Sequence, residues 1–150
     1  MGKPRLVVSA CLCGQPTRYD GTAKPPHAAL AALVESGEAI TVCPECMGGL
    51  PTPRPPAEIQ GTRVINTAGA DVTAEYRRGA ESVLAICREH GITQAVLKQN
   101  SPSCGSLHVY DGTFSKRLIA GRGITAALLQ QHGIDVCDET NWQEKTGASG

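Results

Sequence analysis

The chain has 150 residues, a length that fits one domain of ordinary size. Its 14 Lys and Arg balance its 14 Asp and Glu, so bulk charge does not indicate a nucleic-acid-binding surface. Hydrophobic residues make up 41% of the chain, which excludes a disordered or collagen-like protein, and aromatic residues at 3% are too few for stacking platforms on single-stranded nucleic acid.

The N-terminal region and the cysteines indicate the compartment. The apolar run at residues 6–8 is too short for a signal peptide, and no run approaches the roughly 18 apolar residues of a membrane span. We therefore expect a cytoplasmic protein. Thiols stay reduced in that compartment, so the seven cysteines do not indicate a disulfide framework. An odd number of cysteines favours metal, cluster or catalytic chemistry.

The first half of the chain predicts two strands with a helix between them. Residues 5–10 form a short apolar run that predicts a buried strand, and residues 38–43 predict the second. Residues 27–36 place three apolar side chains on one face of a helix. Residues 44–56 contain five prolines and two glycines, a density that predicts no regular element.

The second half continues the alternation of strands and helices. It predicts a hairpin at residues 58–66, a helix at 71–90 capped by Asp71, a strand at 94–98, a turn at Asp111-Gly112, a helix at 123–132 and a strand at 134–137. This order predicts an α/β fold, a single three-layer, Rossmann-like domain with a mainly parallel sheet. We expect the domain to span residues 1–139 and residues 140–150 to form a flexible tail.

Three cysteines occupy equivalent places after predicted strands. Cys11 follows the first strand, Cys43 ends the second, and Cys104 lies in the loop after the third. Ligands of parallel sheets bind beyond the carboxyl ends of the strands, so we expect the three thiols to converge there. Soft thiolates select zinc, copper(I) or iron–sulfur clusters. Three thiolates without a fourth leave one metal position open, as a catalytic metal requires.

Two further cysteines keep other interpretations open. Cys13 and Cys46 create the short motifs Cys11-x-Cys13 and Cys43-x-x-Cys46, so a four-cysteine zinc site in a non-catalytic binding module is one alternative. A redox dithiol formed by Cys43 and Cys46 is another. The single residue between Cys11 and Cys13 is shorter than the usual spacing of a zinc knuckle, which favours the three-thiolate cluster.

Polar side chains in the same loops are candidates for binding and catalysis. Glu45 lies two residues after Cys43, within reach of a substrate held at a metal, where it would act as general acid or base. Ser101 and Ser103 precede Cys104 and either bind a substrate heteroatom or cap the local backbone. Three further substrate-binding candidates are Tyr19 as a wall for a flat ring, Arg54 as a ligand for an anion or carbonyl, and Lys98 at a strand end.

Short sequence motifs extend through most of the chain. They are Ser9-Ala10-Cys11-Leu12, Arg18-Tyr19-Asp20-Gly21, Val42-Cys43-Pro44-Glu45, Gly48-Gly49-Leu50-Pro51-Thr52-Pro53-Arg54, Ala57-Glu58-Ile59, Leu97-Lys98, Ser101-Pro102-Ser103-Cys104-Gly105 and Tyr110-Asp111-Gly112. In combination they resemble the thiouracil desulfidases, a family formerly catalogued as a bacterial domain of unknown function. Each motif alone is weakly specific, whereas the combination is highly specific.

The resemblance implies a catalytic 4Fe–4S cluster. Its implied ligands are Cys11, Cys43 and Cys104, with the fourth iron free to act as a Lewis acid on a thiocarbonyl. It also implies that Glu45 and Ser101 take part in catalysis. The family's motifs require no cysteine at positions 13 and 46, which lowers the weight of the zinc alternative.

The resemblance also implies the substrate. We expect a small thiolated pyrimidine, 2-thiouracil, to be converted to uracil and hydrogen sulfide without net electron transfer. The neutral net charge and scarce aromatic residues favour a small molecule, and neither nucleic acid nor a membrane is an expected partner. Thiolated nucleotides and thiouridine in RNA are the alternative substrates.

Overall fold

The computed structural model of the chain describes residues 4–17, 19–22 and 26–143. The elements in chain order are β1 (Leu6–Ser9), α1 (Ala28–Glu35), β2 (Ala39–Val42), α2 (Pro44–Met47), β3 (Ala57–Gln60), β4 (Arg63–Asn66), α3 (Thr73–His90), β5 (Gln94–Val96), β6 (His108–Tyr110), β7 (Leu118–Ala120), α4 (Ile124–Gln131) and β8 (Asp135–Cys137). A 3-10 turn, Ala10–Cys13, follows β1 directly.

The central sheet has four parallel strands in the order β2-β1-β5-β8. All four residues of β1 are buried, as expected for an inner strand that is covered on both faces. The chain passes from β1 to β2 and then crosses back to β5 on the opposite side of β1. The direction of winding therefore reverses between β1 and β5, and a crevice forms at the carboxyl ends of the strands at such a reversal.

Helices cover both faces of the sheet. Val7, Val83 and Leu129 belong to the core beneath α3 and α4, whereas Val8 and Leu30 belong to the core beneath α1. The predicted α/β fold with three layers and a mainly parallel sheet is confirmed. None of the helices in the described ranges is both long and apolar enough to cross a membrane.

Several local predictions need correction. Residues 44–56 begin with the one-turn helix α2, because a proline at the first helical position loses no hydrogen bond there. Strand β6 pairs antiparallel with β7, which was not predicted, and residues 111–117 connect the two strands. Helix α3 begins at Thr73, although Asp71 Oδ1 accepts the Thr73 N–H at 2.9 Å. The predicted hairpin of β3 and β4 is confirmed.

The packed part of the chain continues past residue 139. Asp138 Oδ1 accepts the backbone N–H of Thr140 at 2.8 Å, and the Asn141 amide oxygen accepts the Asp138 N–H at 2.9 Å. Trp142 is 5% exposed and belongs to the core beneath α1. Burial of a large indole stabilises the fold, so residues 140–143, which were expected to belong to a flexible tail, are packed against the domain. Residues 144–150 lie outside the described residues.

The short helix α2 and the long helix α3 are in backbone contact. A Cβ added to Gly79 would overlap the carbonyl oxygen of Pro44, and a Cβ added to Gly48 would overlap the carbonyl oxygen of Glu75. Only glycine permits this approach. Arg78 Nη1 reinforces the contact with a hydrogen bond of 2.9 Å to the Gly48 carbonyl. The backbone contact therefore fixes the segment after β2 against α3.

We expect Gly79→Ala to lower the free energy of unfolding by about 1–3 kcal/mol, because the added methyl group overpacks the α2–α3 contact. At an unconstrained helix position the same change stabilises a protein by about 1 kcal/mol. Urea denaturation measures the difference. Arg77→Ala, on the exposed face of the same helix, is the control and should change stability by no more than about 0.5 kcal/mol. Wild-type stability of Gly79→Ala would contradict the close approach.

Candidate active site

A cavity of about 490 Å³ lies at the carboxyl ends of β1, β2 and β5, and three cysteines line it. Cys11 comes from the 3-10 turn after β1, Cys43 joins β2 to α2, and Cys104 lies in the loop after β5. The parallel order of the three neighbouring strands places these loops at one edge. The structure thus brings the three expected thiols to a single cavity.

The thiols of this cavity resist ionisation. Burial raises the pKa of Cys11, and the nearby Glu45 carboxylate raises it further. The same two causes, in the same order, raise the pKa of Cys43 to about 12 and the pKa of Cys104 well above its usual range. Three thiolates beside a carboxylate are therefore unfavourable unless a cation lies among them.

Hydroxyl groups surround Cys104, which is 3% exposed. Burial and Glu45 raise the pKa of Cys104, whereas hydrogen bonds from the Ser9 and Ser103 hydroxyls to its sulfur lower it. Ser9 Oγ also accepts the backbone N–H of Lys98 at 2.9 Å, which ties the end of β1 to the segment after β5. Both hydroxyls therefore favour the thiolate form of Cys104.

Glu45 lies on α2 with Arg54 beside it. The two side chains are 14% and 6% exposed, and Arg54 Nη2 lies 3.7 Å from Glu45 Oε2. Burial raises the pKa of the Glu45 carboxyl, and the Arg54 guanidinium opposes that shift. Arg54 also donates hydrogen bonds of 3.0 Å to the Thr17 carbonyl and to Thr52 Oγ1. Arg54, which was predicted to bind substrate, is therefore held beside Glu45 as its ion-pair partner.

The two serines before Cys104 have different surroundings. Ser101 lines the cavity, and its Oγ accepts the backbone N–H groups of Ser103 and Cys104 at 3.1 Å. Neither bond uses its hydroxyl hydrogen. Ser103 is fully buried, 2.7 Å from Thr125 Oγ1, and lies away from the cavity lining. Its predicted role in substrate binding does not fit this position, because Thr125 and Cys104 enclose its hydroxyl.

The other two predicted substrate-binding residues do line the cavity. Tyr19 is 44% exposed at its rim, and the preceding residue of its motif, Arg18, lies outside the described residues. Lys98 Nζ forms an ion pair of 2.6 Å with Glu139 Oε2. Glu139 is itself nearly buried and also accepts the Gln99 N–H at 2.9 Å, so Lys98 is held in place from the end of β8.

Sequence reasoning missed a cavity wall built by a distant segment. Glu58, on β3, is 8% exposed, and its Oε1 accepts the backbone N–H groups of Gly112 at 2.9 Å and Phe114 at 3.2 Å. These bonds dock residues 111–117 beside the cavity, where Phe114 and Lys116 join its lining. The Ala57-Glu58-Ile59 motif was the available signal, but it did not reveal the partner segment.

Tyr76 was also missed. It lies on the apolar face of α3, a pattern typical of a core residue, and it is 3% exposed. Tyr76 nevertheless lines the cavity that holds the three cysteines. Burial raises the pKa of its phenol, and the Glu45 carboxylate raises it further, so the hydroxyl stays protonated. In the sequence, Tyr76 follows the apolar pattern of α3, and its hydroxyl is the only sign that it differs from the apolar residues of that face.

The three cysteines that line the cavity are soft donors of the kind that bind zinc, copper(I) or iron–sulfur clusters. Within residues 4–17, 19–22 and 26–143, no three His, Cys, Asp or Glu side chains lie close enough together to hold one metal ion. A mononuclear zinc ion needs its sulfur ligands at about 2.3 Å. An iron–sulfur cluster accepts three soft donors spread around a larger core and supplies the positive charge that three thiolates require.

Comparisons with known proteins identify the family of this chain. A family model described as 2-thiouracil desulfurase matches residues 6–141. Uncharacterized protein YbbK from Bacillus subtilis (strain 168) is 43% identical over 147 residues, which covers 89% of this chain and 95% of that protein. A solved structure, the 4Fe–4S-dependent thiouracil desulfidase TudS, is 52% identical with a TM-score of 0.90, and 95% of each chain is covered.

We expect Ser103→Ala to lower the free energy of unfolding by about 1–3 kcal/mol, because it leaves the Thr125 hydroxyl buried and unpaired. The double variant Ser103→Ala/Thr125→Val should recover part of that loss, since both partners become apolar. Chemical denaturation of the wild type and the two variants measures the effect. Unchanged stability of Ser103→Ala would contradict the buried pairing and return Ser103 to the candidates for ligand binding.

Proposed function

This chain belongs to the 2-thiouracil desulfurase family, and we propose that it removes sulfur from a small thiolated pyrimidine at a 4Fe–4S cluster held by Cys11, Cys43 and Cys104. The observation that carries this proposal is the convergence of those three cysteines and Glu45 on one cavity. The 52% identity to a 4Fe–4S-dependent thiouracil desulfidase supports the same cofactor here. We further propose that the enzyme works in the cytoplasm, where thiols stay reduced.

Charge in the cavity supports a cationic cofactor. Three thiolates and the Glu45 carboxylate would bring four negative charges together, and Arg54 is the cation next to them. The nearby Lys98 is already paired with Glu139. When bound, the cluster supplies positive charge to the thiolates and, at its fourth iron, a Lewis acid for a soft thiocarbonyl sulfur.

Glu45 is the proposed acid and base. Replacement of C=S by C=O consumes one water molecule and releases hydrogen sulfide, so two protons move from water to sulfur. Glu45 Oε1 or Oε2 takes these two protons in turn, the first from the attacking water and the second from the hydroxyl group left on the ring carbon, and delivers each to the departing sulfur. Its enclosure within the cavity favours the protonated carboxylic acid, while Arg54 stabilises the carboxylate, so both forms are accessible.

Ser101 and the aromatic rim position the substrate. The Ser101 hydroxyl hydrogen is available to bond negative charge that develops on the ring, since two backbone N–H groups fix its oxygen. Tyr19 and Phe114 offer apolar faces that flank a flat pyrimidine and reduce access of bulk water. Free 2-thiouracil is the substrate that we propose.

Protein purified without oxygen should contain the iron and sulfide of one 4Fe–4S cluster per chain and should convert 2-thiouracil to uracil and sulfide. Loss of thiocarbonyl absorbance measures turnover, and metal analysis measures iron and zinc in the same sample. Removal of the iron by a chelator should abolish turnover. Stoichiometric zinc without turnover would contradict the proposal, and equal turnover on thiolated tRNA would contradict the choice of a free base.

Cys43→Ser and Cys46→Ser form a matched pair that separates the cluster from a redox dithiol. We expect Cys43→Ser to lose iron and activity, because it removes a ligand. Cys46→Ser should keep both, since Cys46 is exposed and its sulfur contacts Thr52 Oγ1 at 3.3 Å on the loop. Measurement of the iron content and the turnover rate of both variants distinguishes the cluster from the dithiol. Inactive Cys46→Ser with full iron content would support the dithiol instead.

A further inference from the structure

We propose that Tyr76 is a further substrate-binding residue, whose hydroxyl donates a hydrogen bond to the exocyclic oxygen that the thiolated pyrimidine retains. This inference rests on the proposed function. It assigns a protein partner to the ring substituent that the reaction leaves unchanged. In 2-thiouracil that substituent is the C4 carbonyl oxygen.

The first argument is the fixed position of the Tyr76 ring. Its ring packs in a small core with Ala57, Val64 and Val72, beneath the β3–β4 hairpin and the start of α3. The residue is 3% exposed and also belongs to the cavity lining. A tyrosine has few rotatable bonds, so this packing fixes the direction of its hydroxyl. The cavity wall therefore presents one preorganised donor.

The second argument is that the donor is unused. No hydrogen bond of the Tyr76 hydroxyl is found among the residues that the structure describes. The unpartnered side-chain atoms that are fully enclosed there are Ser106 Oγ and Gln130 Oε1, and the Tyr76 hydroxyl is not one of them, while Tyr76 itself lines the cavity. Tyrosine hydroxyls in the interior of proteins usually have a partner. A bound ligand would provide the partner that this hydroxyl lacks.

The third argument is location relative to the reacting groups. Tyr76 lines the same cavity as Glu45, the proposed acid, and as Cys43 and Cys104, two of the proposed cluster ligands. The backbone contact of Gly79 with Pro44, one turn after Tyr76, sets α3 against α2. A pyrimidine with its sulfur at the cluster would thus have its ring next to Tyr76.

Two cations of the cavity lining already have partners within the protein. Lys98 is paired with Glu139, and Arg54 bonds Thr17 and Thr52 beside Glu45. The retained carbonyl oxygen loses water when the ring enters the cavity, so it needs a new donor. A site that bonds a substrate group with a buried donor also discriminates against analogues that lack the group. Tyr76 would therefore make the protein prefer thiolated pyrimidines that carry an exocyclic carbonyl oxygen in addition to the sulfur.

Tyr76→Phe removes the hydroxyl and keeps the packed ring, and two substrates test the contact. One is 2-thiouracil, which has the C4 carbonyl, and the other is pyrimidine-2-thione, which lacks it. We expect the variant to lower kcat/KM for 2-thiouracil by about tenfold and to leave pyrimidine-2-thione unchanged. Calorimetric binding of uracil to the cluster-loaded protein should weaken by a similar factor. Iron content and melting temperature check that the variant is intact.

Tyr110→Phe is the matched control, since it removes a tyrosine hydroxyl from the β6 side of the same cavity. It should leave the ratio of kcat/KM for the two substrates unchanged. Equal loss on both substrates in Tyr76→Phe, or no loss on either, would overturn the proposed contact. A loaded wild-type protein that turns over neither substrate would contradict the proposed function, and the uracil binding measurement would still decide the role of Tyr76.

Discussion

The mutual repulsion of acidic groups in one small cavity is the constraint on which the site depends. Cys11, Cys43 and Cys104 lie with Glu45 in a space from which much of the water is excluded, and each thiol has its pKa raised by burial and by Glu45. Neutral thiols are stable in such a place, but thiolates require a compensating cation. The 4Fe–4S cluster that we propose at these cysteines would supply such a cation.

The architecture explains how distant parts of the sequence meet there. Reversal of winding beside β1 brings three loops to one edge, and the loops supply one cysteine each. The backbone contact between α2 and α3 fixes Glu45 and Tyr76 relative to those cysteines. On the other side, Glu58 docks residues 111–117 as a wall. Sheet topology thus sets the positions of the three cysteines, whereas helix packing and the buried Glu58 carboxylate set the shape of the cavity around them.

The sequence allowed prediction of the features that depend on local pattern. Apolar runs and turn residues predicted the parallel strands. The places of Cys11, Cys43 and Cys104 after these strands predicted that the three residues meet at one edge of the sheet. Features that depend on long-range contacts were not predictable in this way. Ser103 and Ser101 are alike in sequence, and only Thr125, from a later helix, separates their environments. Trp142 looked like part of a tail because most of its core partners, such as Leu6 and Leu30, precede it by more than a hundred residues.

The glycine contact between α2 and α3 limits how this enzyme can evolve. Any side chain at position 79 would displace α2, and with it both Cys43, the proposed ligand, and Glu45, the proposed acid, so a change there would affect both residues together. The rim of the cavity, formed by Tyr19, Phe114 and Lys116, has no comparable backbone contact to preserve. These three residues lie on loops rather than on the packed helices. Changes of substrate range are therefore expected to accumulate at the rim, while the α2–α3 joint stays invariant among active descendants.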